Sequence, residues 1–225
     1  MASVRRIEGF AIVSEDGMLA DAAGVMPAAL QLPADQRFFE AGLDAADVMV
    51  NGRHSEEHQP RSPQRCRLIV TRQVAALGPD PANPRARLWN PAGGTLEAGV
   101  AALGLTSAAV AVIGGTEVFG LFLDRYDAFH LTRGPPVHLP AGRPVFPGVP
   151  AQTPEEVLAA HGLECAERQG PRRGHRPRRR ALATAALIRS RGLGSVLAKE
   201  PEPDGQRRER GRAKHPASGR SGLPS

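Results

Sequence analysis

The chain has 225 residues, 29 of them Lys or Arg and 23 Asp or Glu, for a formal charge of +6. That length suits one ordinary domain with a sizeable core. The charge is uneven: residues 166–225 hold 16 basic and 5 acidic side chains, whereas residues 1–165 hold 13 and 18, so the basic excess does not make the first part of the chain a nucleic-acid or membrane binder.

Every Phe, Trp and Tyr lies at or before Phe146. We therefore divide the chain into a folded domain over 1–165 and a basic, low-complexity tail over 166–225 that has little to bury and is expected to be disordered. Two cysteines, Cys66 and Cys165, are too few for a disulfide framework or a zinc cluster, and no metal site is expected. Arg5 and Arg6 precede an apolar run that Ser14, Glu15 and Asp16 end too soon for a secretory signal. The longest apolar stretch, Val100 to Gly115, is too short to span a bilayer. The expectation is a soluble, cytoplasmic protein.

Taken in order, Ile7 to Val13 predicts a first strand, closed by the turn Ser14-Glu15-Asp16-Gly17. From Pro33 the pattern becomes helical, with Asp35 in the first turn and Phe38 and Phe39 three and four residues on, on one face. Ala46 to Val50 and Arg67 to Thr71 predict buried strands, and 79–94 predicts a turn rich in Pro and Asn. A helix follows over Leu96 to Leu103, then the strand Ala109 to Ile113, the turn Gly114-Gly115-Thr116 and a helix over Glu117 to Leu123. Phe129 to Thr132 is one more strand, and Thr153-Pro154-Glu155-Glu156 signals a capped helix. Strands alternating with helices imply an α/β, doubly wound, mostly parallel sheet flanked by helices.

A carboxylate against apolar walls, as Asp35 stands among Leu32, Pro33 and Phe39, has a raised pKa and can grip the amidine-like edge of a flat heterocycle through two parallel hydrogen bonds. It can equally be an ordinary first-turn acid. Gly52-Arg53-His54-Ser55 and Gly114-Gly115-Thr116 read as strand-to-helix turns that favour phosphate, although glycine is common in any tight turn. Arg72, at a strand end, suits the extra phosphate of NADPH or is a solvated surface charge.

Leu32-Pro33-Ala34-Asp35 with Phe38-Phe39, then Val50-Asn51-Gly52-Arg53-His54-Ser55, Arg65 before Leu68-Ile69-Val70-Thr71, Ile113-Gly114-Gly115 with Phe119, Leu131-Thr132 and Phe146-Pro147 resemble dihydrofolate reductase in order and spacing over about 7–150. The resemblance implies hydride transfer from NADPH to dihydrofolate or a related pteridine. It implies that Asp35 holds the ring and helps supply the proton, with Thr132 bridging to it through water. Ile12, Phe39 and Ile113 line the ring pocket, and Arg65 pairs with the glutamate carboxylate of folate. Gly52, Arg53, His54, Ser55, Thr71, Arg72, Gly114, Gly115 and Thr116 bind NADPH, whose hydride is the reductant.

The chain departs from that pattern. Met26-Pro27-Ala28-Ala29-Leu30-Gln31 stands where the family has Met-Pro-Trp, Ala20 and Thr116 stand where glycine is common, and Glu56 where an aromatic is frequent. Ser14-Glu15-Asp16-Gly17 and the missing tryptophan instead resemble the riboflavin-pathway reductase of the same superfamily, which reduces a ribosylaminopyrimidine phosphate; a catalytically silent member of the fold is a further alternative. The closing antiparallel hairpin of such domains is not legible after Cys165, and Ala181 to Leu197 is the one stretch there with a helical pattern. The tail is then either a basic arm for nucleic acid or anionic membrane, or sequence foreign to the ancestral frame, the reading preferred here. Without the hairpin, the sheet would end in an open strand edge.

Overall fold

The computed structural model describes residues 1–55, 60–166 and 184–190, all within one unit, Met1–Leu193. The chain begins with β1 (Ser3–Val13), a short β2 (Met18–Ala20) and α1 (Pro33–Ala45). It continues through β3 (Val48–Gly52), β4 (Cys66–Val70), β5 (Leu77–Pro79), β6 (Ala86–Trp89), α2 (Leu96–Ala102), β7 (Ser107–Val112) and α3 (Thr116–Leu121). Last come β8 (Ala128–Arg133), the two-residue β9 (Arg143–Pro144), α4 (Pro154–Ala160), β10 (Leu163–Ala166) and β11 (Thr184–Ser190).

Among the described residues nine strands form one sheet in the order β10-β11-β8-β1-β7-β3-β4-β6-β5, and β2 pairs with β9 apart from it. The five central pairings are parallel, while β5 and β11 join antiparallel at either side. This is the expected mostly parallel α/β sheet. Strands buried on both faces need continuous apolar runs, and Ala108, Val110, Ala111 and Val112 of β7 are all buried.

Period-2 alternation sorts β1 and β8 onto two faces. Ile7 and Val13 of β1, with Phe129 and Leu131 of β8, join the large core that includes Trp89, Phe119, Phe122 and Phe146. Gly9 is required there, because a Cβ would stand 2.2 Å from the Phe129 ring. Phe10 faces the other way, into a smaller core with Leu43, Met49 and Ala111 beneath α1. The parallel register sets Phe10 beside His130 and Ile12 beside Thr132, so two cross-strand pairs share that second face.

α1 starts where Pro33 suits a helix's first turn, with Leu32 at the N-cap and Asp35 in that turn. α4 has the expected capping box: the Thr153 hydroxyl accepts from Glu156 N at 3.2 Å, and Thr153 N donates to the Glu156 carboxylate at 2.8 Å.

The structure corrects several expectations. The stretch expected to be a turn, 79–94, contains β6, and its start closes β5, because Arg87 to Trp89 find backbone partners on both sides. Gly52-Arg53-His54-Ser55 follows β3 as expected, but the next helix among the described residues is only a 3-10 turn, Ser62–Gln64. The antiparallel hairpin is present: β10 pairs with β11, and β11 pairs with β8 from Thr184 opposite Arg133 to Arg189 opposite Ala128. Residues 184–190 are therefore strand rather than the helix read over Ala181 to Leu197, and β8 is not an open edge. Backbone pairing with β8, not side-chain pattern, specifies this strand. The rest of the expected basic tail, 167–183 and 191–225, lies outside the described residues, as does Glu56.

Candidate functional site

The start of α1 hangs over the face of the sheet carrying Phe10, Ile12, His130 and Thr132. Between them lies a cavity of about 520 Å³. Five of the residues singled out by sequence line it: Ile12, Asp35, Phe39, Ile113 and Thr132. Asp35 and Thr132 line the cavity together. Burial pushes the Asp35 carboxyl above its ordinary value, and the Thr132 side chain only partly opposes the rise. Removal from water disfavours the charged form more than one hydroxyl donor restores it. A carboxyl so placed binds its proton more tightly than one in water.

Residues that sequence reasoning missed complete the walls. Phe10 and His130 stack with ring centroids 4.5 Å apart, and Phe38 meets His130 edge-on at 5.1 Å. Both were findable by stepping two residues back along each strand from Ile12 and Thr132. His130 Nε2 lies 3.2 Å from Glu8 Oε1. Burial pushes the Glu8 carboxyl up, yet the bonds and charges of His130 and Arg6 outweigh it and hold the group below the usual carboxylate range. In place of a tryptophan, Leu19, Met26 and Leu30 line the loop side of the cavity.

A second cleft, of about 680 Å³, contains Gly52, Arg53, His54, Thr71 and Arg72 on its walls, together with Asn90 and Glu117. Arg53 Nε donates to His54 Nε2 at 3.3 Å. Ser55, Gly114, Gly115 and Thr116 are not among the residues lining this cleft, but Ser55 and Gly114 are bonded to Gly52, which is. Gly52 N donates to Gly114 O at 2.8 Å and Ser55 N to Gly52 O at 3.0 Å. A Cβ on Gly115 would stand 3.0 Å from Ser55 Oγ, so the two turns pack backbone against side chain. The Thr116 hydroxyl donates to the Pro144 carbonyl. Gly114 has a φ of +113°, in the region that favours glycine.

Arg65 is not among the residues lining the Asp35 cavity. Its guanidinium pairs with Asp44 at 2.6 Å, and Arg61 holds the other oxygen of the same carboxylate at 2.7 Å. Both arginines line a separate pocket of about 230 Å³ with Asp44, Met49 and Cys66. Among the described residues there is no group of three His, Cys, Asp or Glu that could hold a metal ion, and no helix long and apolar enough to cross a membrane.

The fold has counterparts among solved structures. A deaminase and 5-amino-6-(5-phosphoribosylamino)uracil reductase from Thermotoga maritima superposes with a TM-score of 0.55 and 14% identity over 82% of this chain and 56% of that one. Dihydrofolate reductase from Enterococcus faecalis, in complex with NADP(H), gives 0.54 and 16% over 83% and 96%. The fold is that of dihydrofolate reductase. A protein ascribed to riboflavin biosynthesis from Shewanella sp. PV-4 gives 0.53 and 19% over 85% and 99%. The dihydrofolate reductase-like chain here thus spans a little over half of the bifunctional Thermotoga enzyme. No family model matches the sequence, and no curated protein matches it.

Proposed function

We propose that this chain is an oxidoreductase that transfers a hydride from NADPH to dihydrofolate or a related pteridine, giving the tetrahydro form. The observation that carries the reading is Asp35: a carboxyl with a raised pKa, beside Thr132, in a cavity lined mainly by apolar and aromatic side chains, with Gln31, Gln36 and His130 among them. A flat ring fits between Ile12, Phe39 and Ile113, with its amidine-like edge on the two carboxyl oxygens. Asp35 is the proton source for the imine nitrogen, and Thr132 fixes the carboxyl's orientation. Addition of one hydride to carbon and one proton to nitrogen converts C=N to CH–NH.

The second cleft suits a phosphate-rich cofactor, since two guanidiniums, Arg53 and Arg72, share it with the backbone of Gly52. NADPH, when bound there, supplies the hydride. Arg53 and Arg72 hold phosphate, with His54 and Thr71 beside them, while Ser55, Gly114, Gly115 and Thr116 keep the turns in shape.

A second reading, reduction of the ribosylaminopyrimidine phosphate of the riboflavin pathway, draws on the turn after β1. There Ser14 Oγ donates to Asp16 at 2.5 Å and accepts from Met18 N at 2.9 Å, and residues 18–32 contain no tryptophan. The deciding experiment follows NADPH oxidation by the full chain with each substrate in turn. Turnover with the ribosylaminopyrimidine phosphate alone selects the second reading, and turnover with neither a pteridine nor that compound selects a silent member of the fold.

A further inference from the structure

We infer that His130 is a substrate-binding residue of the Asp35 cavity, and that its Nδ1 selects a heterocycle whose substituent carries a hydroxyl. The inference rests on the reading of that cavity as a pteridine site.

His130 and Thr132 lie two residues apart on β8, roughly 7 Å along the strand, and both line the cavity. Residues so spaced share one face of the sheet. From the side of α1, Phe38 meets the same imidazole with ring centroids 5.1 Å apart, and Phe38 stands one helical turn on from Asp35. The imidazole is therefore part of the wall that Asp35 and Thr132 begin. A ring with one edge on Asp35 that extends along β8 brings its substituent to His130.

Two neighbours fix the imidazole. Phe10 stacks against it at 4.5 Å, and Glu8 Oε1 lies 3.2 Å from Nε2. Glu8, which also accepts from Arg6, can only accept as a carboxylate, so the proton of that bond is on Nε2. Nδ1 is left over. It has no hydrogen-bond partner among the described residues, and it is not sealed in the core, since the His130 side chain is 16% exposed. Nδ1 accepts when the imidazole is neutral and donates when it is protonated. A hydroxyl satisfies either state, whereas an alkyl group satisfies neither and leaves a covered polar atom unpaired. Of the two glutamines in the lining, Gln36 donates to Glu40 at 3.4 Å, so Gln31 is the rival partner for that hydroxyl.

The test compares 6-hydroxymethyl-7,8-dihydropterin with 6-methyl-7,8-dihydropterin, which differ by one hydroxyl, as substrates of the full chain with NADPH. For the wild type, kcat/KM should favour the hydroxymethyl compound by about five- to tenfold, the worth of one neutral hydrogen bond, chiefly through KM. His130→Phe, which keeps a ring against Phe10, should bring the ratio to about one. His130→Asn, which keeps a nearby group able to accept and donate, should retain about threefold or more and separates hydrogen bonding from folding. Gln31→Leu should leave the ratio at its wild-type value. A wild-type ratio near one, a ratio that survives His130→Phe, one lost equally in His130→Asn, or one that collapses in Gln31→Leu overturns the inference while leaving the reductase reading intact. Failure of both compounds to bind in equilibrium dialysis and to support NADPH oxidation overturns the pteridine reading and the inference with it.

Discussion

Thr132 on β8 and Asp35 on α1 line the same cavity. The threonine side chain and the burial act on the acid in opposite directions, and burial wins. Asp35 thus binds its proton more tightly in the folded chain than in the unfolded one. Linkage then fixes the sign: over the interval from the ordinary value of 3.8 up to the raised one, the native state holds more protons, so stability falls as pH rises. Asp35→Asn should melt higher than wild type at neutral pH, with the difference shrinking as pH falls toward 3.8, by calorimetry. The same variant should lose about 100-fold or more in kcat, the usual worth of a positioned acid. Wild-type activity should fall as pH rises through the raised pKa.

Arg72 should report on the cofactor. If its guanidinium holds a phosphate that NADPH has and NADH lacks, Arg72→Ala raises KM for NADPH by about 10- to 100-fold, as loss of a charge-assisted bond does. KM for NADH should hardly move. Equal weakening of both would place Arg72 outside the phosphate site.

Gly114 lies in the turn between Ile113, which lines the cavity, and Glu117, which lines the cleft. Its φ of +113° and a Cβ position 3.1 Å from the Phe119 ring leave no room for alanine. Gly114→Ala should cost about 1–3 kcal/mol, the range for such backbone strain, and weaken cofactor binding as well. Denaturation with and without NADPH separates the two effects.

Phe129 is fully buried, with the rings of Tyr126, Phe146 and Phe119 at 5.1, 5.2 and 5.4 Å. Phe129→Ala should cost about 3–5 kcal/mol through lost transfer energy and the void left behind. Urea unfolding should show a lower midpoint with an unchanged slope.

Particular residues show what could be read in advance. Asp35, Phe38 and Phe39 were legible as neighbours because helix spacing puts them on one face, whereas Ile12, Ile113 and Thr132 joined them only through the resemblance to dihydrofolate reductase. Arg65 was legible as a charge at the right place in the chain, but not as the partner of Asp44, since a long side chain chooses among neighbours that spacing does not specify. Ser55, Gly114, Gly115 and Thr116 were read as cofactor-binding, and the backbone bonds of Ser55 and Gly114 to Gly52 of the cleft wall are contacts that spacing alone does not show. β11 was illegible because Thr184 to Ser190 has no aromatic and no clean alternation, and lies in an arginine-rich stretch. Its strand conformation comes from the backbone of β8.

That pairing has a consequence during synthesis. The strand bearing Thr132 gains its outer neighbour only when residues 184–190 have been made, roughly 50 residues after Arg133. At about 5–20 residues per second, roughly 3–10 s pass with the amides and carbonyls along β8 open to chaperones or to other nascent chains.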